Sequence, residues 1–557
     1  MNLLTCKLVK LSLLTGTLLG ALSAASGQTP ASDPGSRLQN VLPTLSTLTP
    51  TPRATFTPTT RKGYYNIDVV GDFTLPAAKS LTFCGAGRNL HVSQDWSKLF
   101  RRGFSSIDQT RMVPEEINNP YMPKTGAWKS RLKLSQRAYW IPGQYFGDAP
   151  YGLGWARSSD HASTTFYRRP PGDPNYQNSL YAAVEPFRYG CQTYNDCNGS
   201  APLGSYGLIL LDVENEWANS ENQQDHVNLY VYLMKTLREK VSSQTLIGSI
   251  NPVPLNGYGY SRSSDFRAAP HWLWTMPARH TRSSRQRGMP DDIEGKSFGS
   301  MCDFQMPGVY YVYPDFDYTI DHSGESDRHW LAGMLHEQEV NLRFAPQKRI
   351  AWQWMFNTQS GQFPNSSKAE HAAPPAIAEG TAIFYWFTGA YGAVLWDDWR
   401  DLVPDQAPTP DMVGLGNDRV YACYEHYLHG LWRLFKHHGD LFNGQEEYLN
   451  EQTECSFDGG KTWVRYSANQ LKVNRLPYAR AIVNGNQILI AATKPYGKPG
   501  EVTRMKVRYL DKGYRFYTDI ALVGDEIFLG RASMVQEDNF KNKAVKRVIQ
   551  SRTGGKF

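Results

Sequence analysis

The stretch Leu208–Trp217, LILLDVENEW, decides how this chain is read. Four apolar residues run without interruption into three acids at alternate positions, Asp212, Glu214 and Glu216. A short continuous apolar run has the length and composition of a strand buried on both faces, as in a parallel sheet. Side chains alternate along a strand, so the three acids fall on one side while Val213 and Asn215 fall on the other. Two carboxylates held two residues apart repel, and the repulsion raises the pKa of one until it keeps a proton near neutral pH. Such a pair is a general acid. A lone D-x-E is more often an ordinary solvated strand end; here the apolar run before it and Trp217 after it favour chemistry.

Working outward, the same rhythm recurs. Short apolar segments read as strands: KLSQRAYWI (133–141), TLIGSIN (245–251), GVYYVYP (308–314), RIAWQWMF (349–356) and GAVLWDDW (392–399). Between them HVNLYVYLMKTLREKV (226–241), WLAGMLHEQEVNLRF (330–344) and IAEGTAIFYWF (377–387) carry apolar residues at helical spacing. Strands alternating with helices predict an α/β chain, a (β/α)8 TIM-like barrel over 131–440. Barrel chemistry sits at the C-terminal ends of the strands, and there the sequence places DVENEW, YPDFDY and WDDW.

Outside the barrel the composition changes. Residues 1–27 read as a signal peptide, with Lys7 and Lys10, an apolar run from Leu11 to Leu22 and small residues through Gly27. The expectation is a secreted or periplasmic protein, without a membrane span, since no later stretch stays apolar for about 20 residues. Thr and Pro dominate 28–62, which predicts an extended linker. Residues 63–130 read as a β-containing extension. After 440 the helical rhythm stops, and ARAIVNG, NQILIAAT, TRMKVRYL and EIFLGRA predict a small C-terminal β-sandwich over 441–557. SFDGGKTW (456–463) resembles an Asp-box hairpin, a stable turn in single copy.

Composition bounds the partners. The formal charge of +7 is small for 557 residues, and no basic helix or base-reading motif accompanies it, so nucleic acid is not expected. The chain has 15 Trp and 32 Tyr, side chains on whose faces the apolar sides of sugar rings stack. Cys191 and Cys197 enclose a polar loop suited to a local bridge. No HExxH or zinc-type Cys/His spacing occurs, so neither metal nor organic cofactor is expected, and His371, His426, His429, His437 and His438 read as surface or helix histidines.

Three segments in order carry a family resemblance. LLDVENEWANSENQQDHVNLY (210–230) resembles the fourth-strand motif of the hyaluronidase family of glycoside hydrolases, YYVYPDFDY (310–318) its Y-x-x-P-D strand end, and GAYGAVLWDDW (389–399) its last barrel strand, G-x-x-G-x-x-L-W. The resemblance implies substrate-assisted retaining hydrolysis of a polysaccharide containing N-acetylhexosamine, an acidic polysaccharide among the options. It implies Glu214 as proton donor, Asp212 and Tyr311 as groups orienting the acetamido arm, and Trp396 as the hydrophobic floor. Asn215, Glu216, Trp217, Asp315, Asp397 and Asp398 are candidate substrate contacts. On the seventh strand the family's tyrosine is replaced by IAWQWMF, which brings Gln353 or a neighbouring Trp forward as a further contact.

A second reading uses the same strand differently. ENEW also resembles the Asn-Glu strand end of the large retaining clan that includes β-galactosidases, with Asn215 on a sugar hydroxyl and Glu216 as acid/base for a galactan- or glucan-type glycan. That chemistry needs a second carboxylate about 5 Å away; RIAWQWMF supplies none and Glu379 lies in a helix-like stretch, so the aspartates of WDDW are the nucleophiles that keep this reading open. A non-catalytic carbohydrate-binding barrel is the third reading; retention of both Asp212 and Glu214 argues against it.

Overall fold

The computed structural model describes residues 44–54, 70–85, 97–108, 133–142, 206–212, 223–250, 253–254, 272–286, 290–311, 325–344, 347–354, 356–357, 371–372, 375–397, 426–465, 477–511 and 514–535. Two short strands come first, β1 (Thr44–Leu45) and β2 (Thr49–Pro50). Then follow β3 (Ser80–Gly85), β4 (Ser106–Asp108), β5 (Arg137–Pro142), β6 (Leu208–Asp212), β7 (Leu246–Ser249), β8 (Phe304–Gln305), β9 (Gly308–Tyr310) and β10 (Lys348–Trp354). A small hairpin of β11 (Phe356–Asn357) and β12 (His371–Ala372) precedes β13 (Gly392–Asp397). Three long helices alternate with the later strands: α1 (Gln223–Lys240), α2 (Glu325–Phe344) and α3 (Pro375–Phe387).

The strand order β7-β6-β5-β4-β3-β13-β10-β8 runs parallel throughout, with β9 continuing β8 along β10. A parallel bridge between Ile250 and Met306 joins the two ends, so the sheet closes into an eight-stranded barrel. This is the predicted (β/α)8 architecture, but it starts earlier than position 131. β3 and β4 were expected in a separate extension; they are the first and second barrel strands, and β3 pairs along its whole length with the last strand, β13. The short SLTFCG run, flanked by segments of no clear period, carries too little pattern to be seen as a barrel strand without its partner.

β6 shows why the strands read as unbroken apolar runs. Ile209 and Leu211 pack outward with Val227, Tyr230, Met234 and Leu237 of α1. Leu208 and Leu210 belong instead to the cluster that fills the barrel. Both faces are dry, so alternation in hydrophobicity disappears. On β7 a Cβ on Gly248 would lie 2.4 Å from the Phe304 ring of neighbouring β8, so only glycine leaves room for that ring.

The C-terminal part forms two stacked antiparallel sheets. The first contains β14 (Glu447–Tyr448), β16 (Tyr478–Asn484), β17 (Gln487–Thr493) and β20 (Phe528–Val535); the second contains β15 (Thr453–Ser456), β18 (Val502–Asp511) and β19 (Tyr514–Val523). Ala481, Val483, Ile488, Ile490, Val507 and Ile520 fill the space between them. The opposite face of the first sheet is also buried: Tyr478, Ile482, Leu489 and Leu529 join the barrel cluster, with Tyr478 packed 4.9 Å from Phe384 of α3. The Thr/Pro segment is not wholly a linker. β1 and β2 pair with β20 and complete the first sheet, Pro50 sitting where an edge strand tolerates a missing donor.

Buried ion pairs lock this junction. Glu379 of α3 meets Arg433 and, at 3.0 Å, Arg53 from the segment after β2. Arg433 also donates to Ile527 O at 2.9 Å, and Thr51 Oγ1 bonds His438 Nε2 at 2.7 Å. Arg480 of β16 reaches Glu339 of α2 at 2.6 Å, both fully buried. His426, His429 and His438 fall on helical residues, the helix alternative of the sequence reading, and they are buried along this junction rather than on the surface. Cys302 and Cys455 are buried thiols, while Cys191, Cys197 and the leader lie outside the described residues. Among the described residues no helix is long and apolar enough to cross a membrane.

Candidate active site

Every barrel strand points the same way, so all C-terminal ends open on one face. There, three tryptophans from separate strands form a chain across the interior. Trp140 of β5 lies 6.1 Å from Trp352 of β10, and Trp352 lies 6.0 Å from Trp396 of β13, each pair tilted by about 45°. Trp140 and Trp352 are buried, whereas Trp396 is half-buried at the mouth. The three rings make an apolar layer across the interior, and Trp396 is the ring that reaches the mouth, where a sugar face could stack.

Polar groups on the first two strands stand beside this floor. Thr82 Oγ1 and Ser106 Oγ bond at 2.7 Å, and one pleat further Cys84 Sγ donates to Asp108 Oδ2 at 3.5 Å. Asp108 Oδ1 accepts the Trp140 amide at 3.1 Å, so this carboxylate bridges β4 to β5 just where the tryptophan chain begins. Asp108 is buried, and Cys84 is level in register with Trp396. These contacts place a carboxylate and an aromatic floor at one end of the barrel.

The sequence-predicted residues divide. Asp212 ends β6, the fourth barrel strand, paired in register with Pro142 at the end of β5. Asp397 ends β13, opposite Gly85. Trp396 joins the tryptophan chain. Two expectations are corrected. Gln353 is fully buried and follows Trp352, so strand alternation turns it away from the barrel interior, and its amide lies beside the Tyr427 hydroxyl of the 426–438 helical run. Tyr311, one residue past β9, is buried with its ring edge-on to Trp330 of α2 at 5.5 Å, a packing position between strand and helix. Glu214, Asn215, Glu216, Trp217, Asp315 and Asp398 lie outside the described residues.

Trp352 is one of the tryptophans neighbouring Gln353 that the seventh strand offered, whereas Trp140 and Asp108 were not singled out by the sequence. The signal for Asp108 was weak, because FSSID has two serines where LILLD has an unbroken apolar run. It went unread because the barrel was taken to begin at 131. Among the described residues no cluster of three or more His, Cys, Asp or Glu could hold a metal ion.

Glu379, the carboxylate weighed as a nucleophile, sits on α3 in the junction. Burial pushes its pKa up, but the His429 imidazole N–H and the charges of Arg433 and Arg53 outweigh this and hold it well below the usual carboxylate range. His429 Nε2 accepts the Ala54 amide at 3.0 Å, which assigns the proton to Nδ1, 3.6 Å from Glu379. Glu379 is thus an ionised structural anion, removed from the barrel mouth.

No family model matches the chain, and no curated protein matches it. Among solved structures the chain is similar to an endo-β-1,4-mannanase from Thermotoga petrophila at 10% identity, covering 82% of this chain and 98% of that one with a TM-score of 0.32. It is similar to a Cellulomonas fimi endo-β-1,4-mannanase double mutant at 10% identity, 80% and 95% coverage and a TM-score of 0.35. A family 30 endoxylanase from Clostridium papyrosolvens C71 matches at 8% identity, 84% and 98% coverage and a TM-score of 0.31.

Proposed function

We propose that this chain is a secreted glycoside hydrolase that cleaves a polysaccharide at the C-terminal mouth of its barrel. The observation that carries the reading is the Trp140–Trp352–Trp396 floor at the same end as the terminus of β6, where LILLD runs into ENEW. Position 212 falls on the strand face of Leu208 and Leu210, the residues of the barrel cluster.

In the proposed reaction Glu214 protonates the glycosidic oxygen as that bond breaks. The substrate's own acetamido oxygen attacks the anomeric carbon, giving an oxazolinium-like intermediate beside Asp212. Water then opens this intermediate, with the Glu214 carboxylate accepting the proton, and the anomeric configuration is retained. Tyr311 and Gln353 have no part in this version. The second reading, Glu216 as acid/base with a protein nucleophile, lacks a carboxylate on β10, whose residues are KRIAWQW.

The test is turnover of the mature protein on hyaluronan and chondroitin beside mannan and xylan, followed by inhibition with a thiazoline that mimics the cyclised acetamido group. Cleavage of an N-acetylhexosamine polymer and competitive inhibition are expected. Cleavage only of mannan or xylan, without thiazoline inhibition, removes substrate assistance; no cleavage of any glycan removes the enzyme reading.

A further inference from the structure

The outer face of the second sandwich sheet carries an assembly that neither the fold nor the barrel mouth uses. β18 and β19 alternate strictly: Met505, Val507 and Tyr509 point into the sandwich, and Arg504, Lys506 and Arg508 point out. Across the ladder Arg508 pairs with Tyr517, which is 41% exposed where a sandwich surface ordinarily carries a polar residue. Trp463 lies over this pair, its ring 4.3 Å from the Arg508 guanidinium and 5.8 Å from the Tyr517 ring.

Trp463 is held there by its own hairpin. Asp458 accepts the amides of Lys461 and Thr462, each at 2.9 Å, Gly460 N donates to Ser456 Oγ at 2.8 Å, and the indole N–H donates to Gly460 O at 3.0 Å. The aromatic pair is therefore fixed before any ligand arrives, which lowers the entropy cost of binding. Charge on the face is lopsided. Glu454 neutralises Arg508 and Asp519 neutralises Lys506. Arg504, Arg515 and Lys461 have no carboxylate within ion-pair distance among the described residues. Arg515 stands opposite Leu510, three pleats along β18 from Arg504, so the cations bracket the aromatic pair over about 20 Å of strand.

Resting on the polysaccharide reading above, we propose that this face is a second glycan-binding site, and that its ligand is an extended acidic polysaccharide. Trp463 and Tyr517 take the apolar faces of sugar rings, and Arg504 and Arg515 take the carboxylates or sulfates on either side. A neutral glycan would use the rings and leave the arginines idle; a second copy of this chain would need a complementary acidic strip, and the face itself offers only Glu454 and Asp519, both already paired.

The full chain carrying Glu214→Gln, to leave the glycan uncut, is measured by affinity electrophoresis and calorimetry on hyaluronan, chondroitin sulfate and neutral galactomannan. Acidic chains are expected to bind in a salt-sensitive manner. Trp463→Ala with Tyr517→Ala should weaken this at least tenfold, and Arg504→Ser with Arg515→Ser should abolish the preference for acidic over neutral chains. Hydrolysis of a short soluble oligosaccharide by the same surface variants in the Glu214 background should be unchanged, with an unchanged melting temperature confirming the fold. Equal binding by all variants, equal affinity for galactomannan, or a sedimentation coefficient that falls in the surface variants would overturn the site. If acidic chains bind through this face but no glycan is cut, the barrel reading fails while this one stands.

Discussion

The junction between barrel and sandwich and the mouth of the barrel both bury carboxylates, and they set them to different uses. At the junction each acid is matched to cations: Glu379 to Arg53 and Arg433, Glu339 to Arg480, and Glu446 to Lys79 at 3.1 Å. At the mouth Asp108 accepts the Trp140 amide and the Cys84 thiol beside the tryptophans. A paired buried charge fixes architecture, because removing one partner strands the other in a dry site. Asp108 instead ties the ends of two neighbouring strands together where the tryptophan chain begins. The contrast separates the ion pairs that hold barrel to sandwich from the contacts that set the tryptophan chain.

The sharpest way to break the comparison is Glu379→Gln. With the anion gone, Arg433 and Arg53 face each other across a buried site, and unfolding free energy should drop by about 3–5 kcal/mol in denaturant titration. Turnover per folded molecule should stay within a factor of two. A variant equally stable but inactive would move Glu379 from the junction to the chemistry.

At the mouth the expectation inverts. Trp352→Phe shortens the middle of the floor and should cost about 1–2 kcal/mol of stability, less than Glu379→Gln, but raise KM several-fold. Unchanged KM would remove the floor from substrate binding.

Acidification probes the junction further. Burial lowers the pKa of His438 to about 3 and of His426 to about 4, both helped by neighbouring cations. The unfolded chain therefore binds protons that the fold does not, from the ordinary histidine range near 6.5 down to these values. Stability should fall as pH drops through that window, by up to about 1.4 kcal/mol per pH unit for each histidine, and level off below it. The depressed Glu379 carboxyl adds a loss in the same direction below its unfolded pKa near 4.5. His426→Gln should flatten the slope measured by denaturant unfolding from pH 7 to 4.

The sequence carried the fold where periodicity was long and repeated. LILLD, RIAWQW and GAVLW each fall on a barrel strand, and the helices of 226–241, 330–344 and 377–387 lie within or beside α1, α2 and α3. It failed where identity depends on a distant partner. SLTFCG is recognisable as the first strand only through its pairing with β13, 300 residues on, and TLTP joins a sheet only because β20 offers an edge. At the site, Trp396 and the end of β6 were legible as strand termini. Gln353 was misread by one position, which on a strand reverses the face, and Tyr311 by reading a motif one residue beyond the strand that carries it.

The central claim rests on which acid of DVENEW moves the proton. Glu214→Gln and Glu216→Gln should be compared side by side for kcat on the best glycan found, with binding measured in parallel. Loss of about 10²–10⁴ in kcat for Glu214→Gln alone, with binding kept, is the expected result; full activity in Glu214→Gln with loss in Glu216→Gln would contradict it and give the acid's role to Glu216.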